Sequence, residues 1–396
     1  MISVENAIQI IKKHSKISSN YSEKKLEKAN GYLLAEDIIA PIDLPPFNQS
    51  AMDGYGLCLS ANLKNQNKFD IVGEIKAGDT KTYHLNKGEA IRVLTGAPVP
   101  KSVNTVIMQE NTLLSNDSIK IKEEITPLKN IRLKGEQVKK GTIALEKHTE
   151  VNPAVVGFLY SLGIDKIKVI QKPSIAIIST GNELVESGKQ LAYGEIYESN
   201  SKMLTSALYN LKFYDVTVYK IKDDYEDTLS TISNAIKNHD LLLISGGISV
   251  GKYDFIYKAL HELNVSELLY KVNQKPGKPF FYGIKNNTQI FGLPGNPAAA
   301  LTCFYTYVNI ALQKFVGKSE IELPRKKTSI LNSYRKKGNR SEFLKANYSN
   351  GNVTILEQQG SAMLQKFAFA NALIYLPEHI NFVEINDSVE IILLPF

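Results

Sequence analysis

The sequence predicts a multidomain protein of α/β plus β class, and three observations carry that prediction. Between residues 169 and 318, apolar runs of strand length alternate with helix-length amphipathic segments, the pattern of a parallel-type sheet with helices on both faces. Residues 69–125 alternate apolar and polar positions in short runs broken by Gly and Pro, which reads as a small all-β unit. After Glu320 the chain returns to short apolar strands, Val353–Leu356, Ala372–Leu376 and Val389–Leu394, separated by Asn, Gly and Pro turns. A chain of 396 residues exceeds one ordinary core, so about two to four domains are expected.

Taken in order, Ser3 is placed to cap a helix with Val4, Ala7, Ile8 and Ile11 on one face. A strand-like segment, Tyr32–Ile39, precedes Pro41. The stretch Asp43–Gly56 (DLPPFNQSAMDGYG) cannot be helical because of its prolines. Within it, Asp53 is either an Asx-turn residue or a carboxylate presented by a stiff loop. Thr95, in RVLTGAPVP, either bonds a neighbouring backbone group or faces a ligand. Pro153–Gly163 has Pro at the first turn of a helix and Gly just past its end. The β unit therefore reads as inserted: segments 1–45 and 132–168 read as one interrupted unit and 46–131 as the insert. Residues 169–318 form the α/β domain and 319–396 a C-terminal β domain.

In the α/β segment the predicted strands are Ser174–Ile178, Val216–Lys220, Leu241–Ile244, Leu268–Val272 and Gln289–Phe291. The predicted helices are Asn200–Leu211, capped by Asn200 or Ser201, Tyr225–Lys237, one from Phe255, and one from Pro297 to Phe315. Ligands of such sheets bind outside the carboxyl ends of the strands. Three loops lie there: 179–184 (STGNEL), 245–254 (SGGISVGKYD) and 292–297 (GLPGNP). Glycine lets backbone N–H groups approach phosphate oxygens, and a following helix N-terminus adds partial positive charge.

Composition narrows the chemistry. The net charge of +7 suits anionic ligands, but it is spread along the chain and carries no aromatic-plus-basic signature of RNA binding. The only cysteines, Cys58 and Cys303, are too far apart for a CxxC or zinc pattern. The most apolar run, Ala298–Phe315, contains Thr302, Asn309 and Gln313 and reads as a buried helix rather than a membrane span. No basic-then-apolar leader opens the chain, so the cytoplasm is expected. The basic run Lys326–Arg340 is expected to be a solvated face.

What remains is carboxylates, hydroxyl-glycine loops and lysines. Lys271, Lys275 and Lys278 sit in the proline-stiffened stretch KVNQKPGKP, suited to a polyanion. Glu183 and Asp254 lie at two of the strand-end loops. Carboxylates beside phosphate repel unless a divalent cation bridges them, which points to Mg²⁺.

Together these stretches resemble the molybdopterin molybdenumtransferases, the MoeA family. The matching motifs are PPFNQSAMDGYG, RVLTGAPVP, IRLKGE, STGNEL, SGGISVGKYD, KPGKPFFYG and GLPGNP, in the family's order over nearly the whole chain. The resemblance implies a homodimer with an extended N-terminal domain, an inserted β domain, a central MoaB/Mog-like α/β domain and a C-terminal β-barrel-like domain. It implies conversion of adenylyl-molybdopterin and molybdate to molybdenum cofactor and AMP, with Mg²⁺. Exchange with a molybdopterin adenylyltransferase and other molybdopterin-handling enzymes is implied, and neither nucleic acid nor membrane.

Carried over residue by residue, Glu183 and Asp254 match the acidic pair around the metal and the pyrophosphate bond. Asp53 and Thr95 match cleft residues offered by the partner subunit, and Asp223 or Asp224 a further acidic position. Thr180, Gly181, Ser245, Gly246, Gly247, Ser249 and Gly251 match the phosphate loops. Lys271, Lys275 and Lys278 match anion ligands, with Arg132 and Arg340 adding charge. Pro294, Gly295, Asn296 and Pro297 match the third loop. The sequence departs from the family pattern at Gln137, at Ser102-Val103-Asn104, and at Asn182, where an acid is common. Tungstate, a tetrahedral dianion of similar size, is not separated from molybdate by any of these residues.

Overall fold

The computed structural model describes residues 1–59, 67–222, 224–248 and 255–396. It divides into two compact units: Met1–Ser22, Gly31–Leu33 and Val169–Phe396 in one, Glu23–Asn30 and Leu34–Lys168 in the other.

The first unit is built on a six-stranded sheet. Its order is Val216–Ile221, Ile175–Thr180, Leu241–Ser245, Thr288–Leu293, Phe281–Lys285, Ser266–Tyr270. The first four strands are parallel, in line with the predicted strand–helix alternation. The last two are antiparallel, joined to the core through a hairpin turning at Asn286. The sequence reading missed Phe281–Lys285 because Lys278 and Pro279 precede it. Ile175–Ile178 and Leu241–Ile244 are fully buried. Continuous β-branched and Leu runs fit central strands covered on both faces, and each such side chain contributes about 1.5–3 kcal/mol by burial.

The helices match their sequence signals closely. Helix Val4–His14 is capped by Ser3, whose Oγ accepts from the Asn6 N–H at 3.2 Å. Glu5 lies in its first turn and Lys12, Lys13 and His14 in its last, which complements the helix dipole. Val4, Ala7, Ile8 and Ile11 are its buried face. The apolar run from Pro297 is helical to Phe315, with one π-helical segment at Phe304–Val308. Among the described residues, no helix is long and apolar enough to cross a membrane.

The C-terminal part of this unit is a closed five-stranded barrel. Ser341–Ser349, Asn352–Ile355, Arg325–Ile330, Ser388–Leu393 and Ala372–Leu376 pair in turn, and the last strand pairs back with the first. Ile330, Leu344, Val353, Ile374 and Ile391 fill its core. The solvated-face reading of the basic run fails at Lys336, which is buried and donates to the carbonyls of Pro377 and Glu378 at 2.8 and 3.0 Å.

The second unit carries a six-stranded sheet in the order Thr105–Met108, Gly54–Leu57, Glu89–Val93, Lys68–Ile75, Ser118–Ile121, Thr112–Ser115. This is the all-β unit the alternation predicts. The chain on either side of it runs together antiparallel: Ile38–Ile39 pairs with Ile143–Leu145, and Gln49–Ser50 with Ile131–Arg132. Of the strand expected over Tyr32–Ile39, only Ile38–Ile39 is regular. Gly54 has no alternative, since a Cβ there would lie 2.0 Å from the Ile107 carbonyl oxygen.

Candidate active site

The parallel strands end together, and a cleft of about 760 Å³ opens at their carboxyl ends. Thr180, Gly181 and Glu183 follow the first strand, Ser245, Gly246 and Gly247 the next, and Pro294, Gly295, Asn296 and Pro297 the third; all ten line it. The structure thus brings together three loops that lie far apart in sequence. Gly181 has φ +148°, a backbone conformation that L side chains rarely adopt. Glu183 itself is exposed at the cleft.

Two further residues, Glu198 and Asn200, build the cleft, neither of them read as a site residue in the sequence. Glu198 is 6% exposed, and its carboxylate accepts from the Ser201 N–H at 2.8 Å, the Ser201 hydroxyl at 2.6 Å and the Ser179 hydroxyl at 3.3 Å. It, rather than Asn200 or Ser201, supplies the cap acceptor for helix Asn200–Asn210, whose Ser199 makes no side-chain cap. Asn200 Nδ2 donates to Ser245 Oγ at 2.8 Å and to the Gly295 carbonyl at 2.7 Å, tying two cleft loops to one helix start. The Glu-Ser-Asn-Ser order was a cap signal in the sequence; which residue caps depends on where the preceding turn aims Glu198.

The C-terminal barrel reaches the same cleft, which no motif announced. Ala362 lines it, Ser361 Oγ accepts from Asn296 Nδ2 at 2.9 Å, and the Ser361 carbonyl accepts from the Ala299 N–H at 3.1 Å. That loop is wrapped around Lys345, a 4%-exposed lysine donating to the carbonyls of Gln358, Gly360 and Met363 at 2.9, 3.3 and 3.0 Å. Burial pushes the Lys345 pKa down.

Other expected site residues are placed differently. Lys275 is 3.2 Å from Glu342, a 2%-exposed carboxylate that also accepts from Tyr334 Oη at 2.7 Å. Lys271 lies with Nζ 4.7 Å from the Tyr270 ring centroid, and Lys278 is exposed. Arg340 donates to the Gln274 carbonyl at 3.3 Å. None of these four lines the cleft, although Pro279 beside Lys278 does. Asp224 caps helix Tyr225–Asn238, accepting from the Asp227 N–H at 2.9 Å. Asp223, Ser249, Gly251 and Asp254 lie outside the described residues.

In the second unit, Asp53 and Thr95 meet each other. Asp53 Oδ1 accepts from both the backbone N–H and the hydroxyl of Thr95, each at 2.7 Å. The Thr95 backbone bond, then its hydroxyl, hold the Asp53 pKa below the ordinary 3.8. Neither the local Asx turn nor a backbone partner for Thr95 Oγ is formed; the two motifs are halves of one feature. Arg132 is exposed in the short strand Ile131–Arg132.

The fold and cleft define a multidomain α/β protein with a cleft at the carboxyl ends of its parallel strands. Comparison with known proteins narrows this class. Residues 2–163 match the MoeA N-terminal region (domain I and II), 176–314 a probable molybdopterin binding domain, and 328–394 the MoeA C-terminal region (domain IV). A molybdopterin molybdenumtransferase of Staphylococcus epidermidis is 32% identical over 402 residues, covering 99% of this chain and 95% of the relative. One from Staphylococcus aureus is 30% identical over 377 residues, covering 93% and 90%. A solved MoeA molybdopterin-biosynthesis protein from Pyrococcus horikoshii superposes with a TM-score of 0.85 at 30% identity, covering 99% of this chain and 100% of that one. The chain belongs to the MoeA family of molybdopterin molybdenumtransferases.

Proposed function

We propose that this chain inserts molybdenum into molybdopterin, taking adenylyl-molybdopterin and molybdate to molybdenum cofactor and AMP. The observation that carries the reading is the 760 Å³ cleft built from the three strand-end loops, inside the segment matched by the molybdopterin-binding model. Both substrates are oxyanions. The cleft offers them hydroxyl and glycine loops and the starts of two helices, at Asn200 and Pro297, whose partial positive charge suits phosphate and molybdate.

Asn200 and Ser361 hold the Gly295–Pro297 turn from either side. Glu198 is spent on Ser179 and Ser201, so Glu183 is the carboxylate left for ligand chemistry among the described cleft residues. Mg²⁺ characteristically takes one or two carboxylates plus substrate phosphates. Glu183, exposed in the cleft, suits that sparse donor set. Glu183 would hold the cation, with Asp254 as second ligand. When bound, the cation offsets carboxylate–phosphate repulsion and polarises the phosphoanhydride. Glu183 and the three loops would position the reacting groups, so the chemistry rests on positioning and electrostatics.

The active species is a homodimer in the cytoplasm, with the extended segments within 1–45 and 132–168 carrying the contact. Asp53 and Thr95 of a second copy would complete the site, and a molybdopterin adenylyltransferase would supply its substrate. Incubating the protein with ATP and molybdopterin, without molybdate, separates this reading from an adenylyltransferase. No adenylyl-molybdopterin should form; its formation by this chain alone overturns the proposal.

A further inference from the structure

A second cavity lies at the opposite end of the same sheet, where the parallel strands begin. It encloses about 470 Å³ and shares no lining residue with the cleft. That volume is within the range of small-molecule sites. One wall is Gln289, which is 4% exposed. Ser15 Oγ and Tyr282 Oη donate to its Oε1 at 2.7 and 2.9 Å. Reversing the amide would leave the two hydroxyl protons only each other's oxygens, 3.4 Å apart. Burial also pushes the Tyr282 pKa up to about 12, so its proton stays. Hydrogen bonding therefore turns Nε2 away from Ser15 and Tyr282, and that nitrogen has no partner among the described residues.

Asp240 stands beside it, since the Gln289 N–H donates to the Asp240 carbonyl at 3.0 Å. Asp240 Oδ2 accepts from the N–H and hydroxyl of Ser174, each at 2.9 Å, while Oδ1 has no partner among the described residues. The wall thus offers one amide donor and one carboxylate acceptor. Lys13 and Lys16 border the cavity, exposed and without a carboxylate partner among the described residues. Lys314 caps the Lys12 carbonyl at the adjoining helix end, which blunts its negative pole. Phe315 adds an apolar surface.

We infer that this cavity binds a nucleoside monophosphate. A base edge with a donor beside an acceptor, such as the adenine amino group beside N1 or the guanine N1–H beside O6, complements Asp240 Oδ1 and Gln289 Nε2, and the phosphate falls to Lys13 and Lys16. The inference does not need the reaction proposed above. If that reaction holds, AMP is its product, and the cavity reports on product level away from the cleft.

Calorimetric titration of the full chain with AMP tests this without turnover, so failure of the reaction assay and failure of the inference remain distinguishable. Lys13→Glu/Lys16→Glu and Gln289→Glu should each weaken one binding event by about tenfold or more, the scale of losing a contact to a charged group. Glu at 289 keeps an acceptor for Ser15 and Tyr282, and a melting curve checks that each variant is folded. Adenosine and inorganic phosphate should each bind more weakly than AMP. Variant isotherms superimposable on wild type would overturn the inference, placing any AMP binding in the cleft. So would no AMP binding at all.

Discussion

Asp53 and Thr95 stand 42 positions apart and share one carboxylate oxygen. The sequence offered each of them a local partner, and neither took it, because strands Gly54–Leu57 and Glu89–Val93 pair and bring the two strand ends together. The pairing has a pH signature. Asp53 titrates below the ordinary 3.8 because Thr95 stabilises its charged form. A depressed carboxylate pKa contributes stability above the unfolded value and loses it as pH falls through the folded value. The Thr95 amide proton shift, followed by NMR, should therefore titrate at a pH below 3.8; a midpoint at or above that value contradicts the bond. At the cleft, Glu183 is exposed, so Glu183→Ala should leave the melting temperature unchanged while AMP release falls by about 10²-fold or more. Wild-type turnover in that variant removes Glu183 from the chemistry. Residue types and order made STGNEL, SGG and GLPGNP legible as strand-end loops, and all three meet at the cleft. Glu198 and Lys345 were not legible, since a buried charge is recognised only by the groups that surround it: two serines for one, three carbonyls for the other.

At the scale of elements, periodicity read the parallel strands and their helices to within a few residues, because burial on both faces demands unbroken apolar runs. Leu243, fully buried in the central strand, should cost about 2–5 kcal/mol as Leu243→Ala in denaturant unfolding. The antiparallel edge strand Phe281–Lys285 was missed since Lys278 and Pro279 read as loop. The buried lysines of the barrel test a different balance. Lys345→Met removes a costly buried charge but orphans three carbonyls, so a net loss of about 1–3 kcal/mol is expected. Lys336→Met orphans two carbonyls away from the cleft and serves as its control. Only the Lys345 variant should also weaken substrate binding, because only its loop carries Ser361 and Ala362 to the cleft. Equal effects of both on affinity would make the loop a bystander.

At the scale of the whole molecule, three family models follow one another along the chain in the order the motifs predicted. The order was legible because each motif is short, local and rich in Gly and Pro. That the C-terminal barrel supplies part of the cleft was not, since it depends on contacts between residues such as Asn296 and Ser361 that only the folded chain brings together. The central claim is that this cleft couples molybdate to release of AMP. The direct test is AMP release from adenylyl-molybdopterin by the purified protein, with and without molybdate and with and without Mg²⁺. The account predicts fast release only when both are present, with molybdenum retained on the pterin product. Release at the same rate without molybdate, or none with both present, would contradict it.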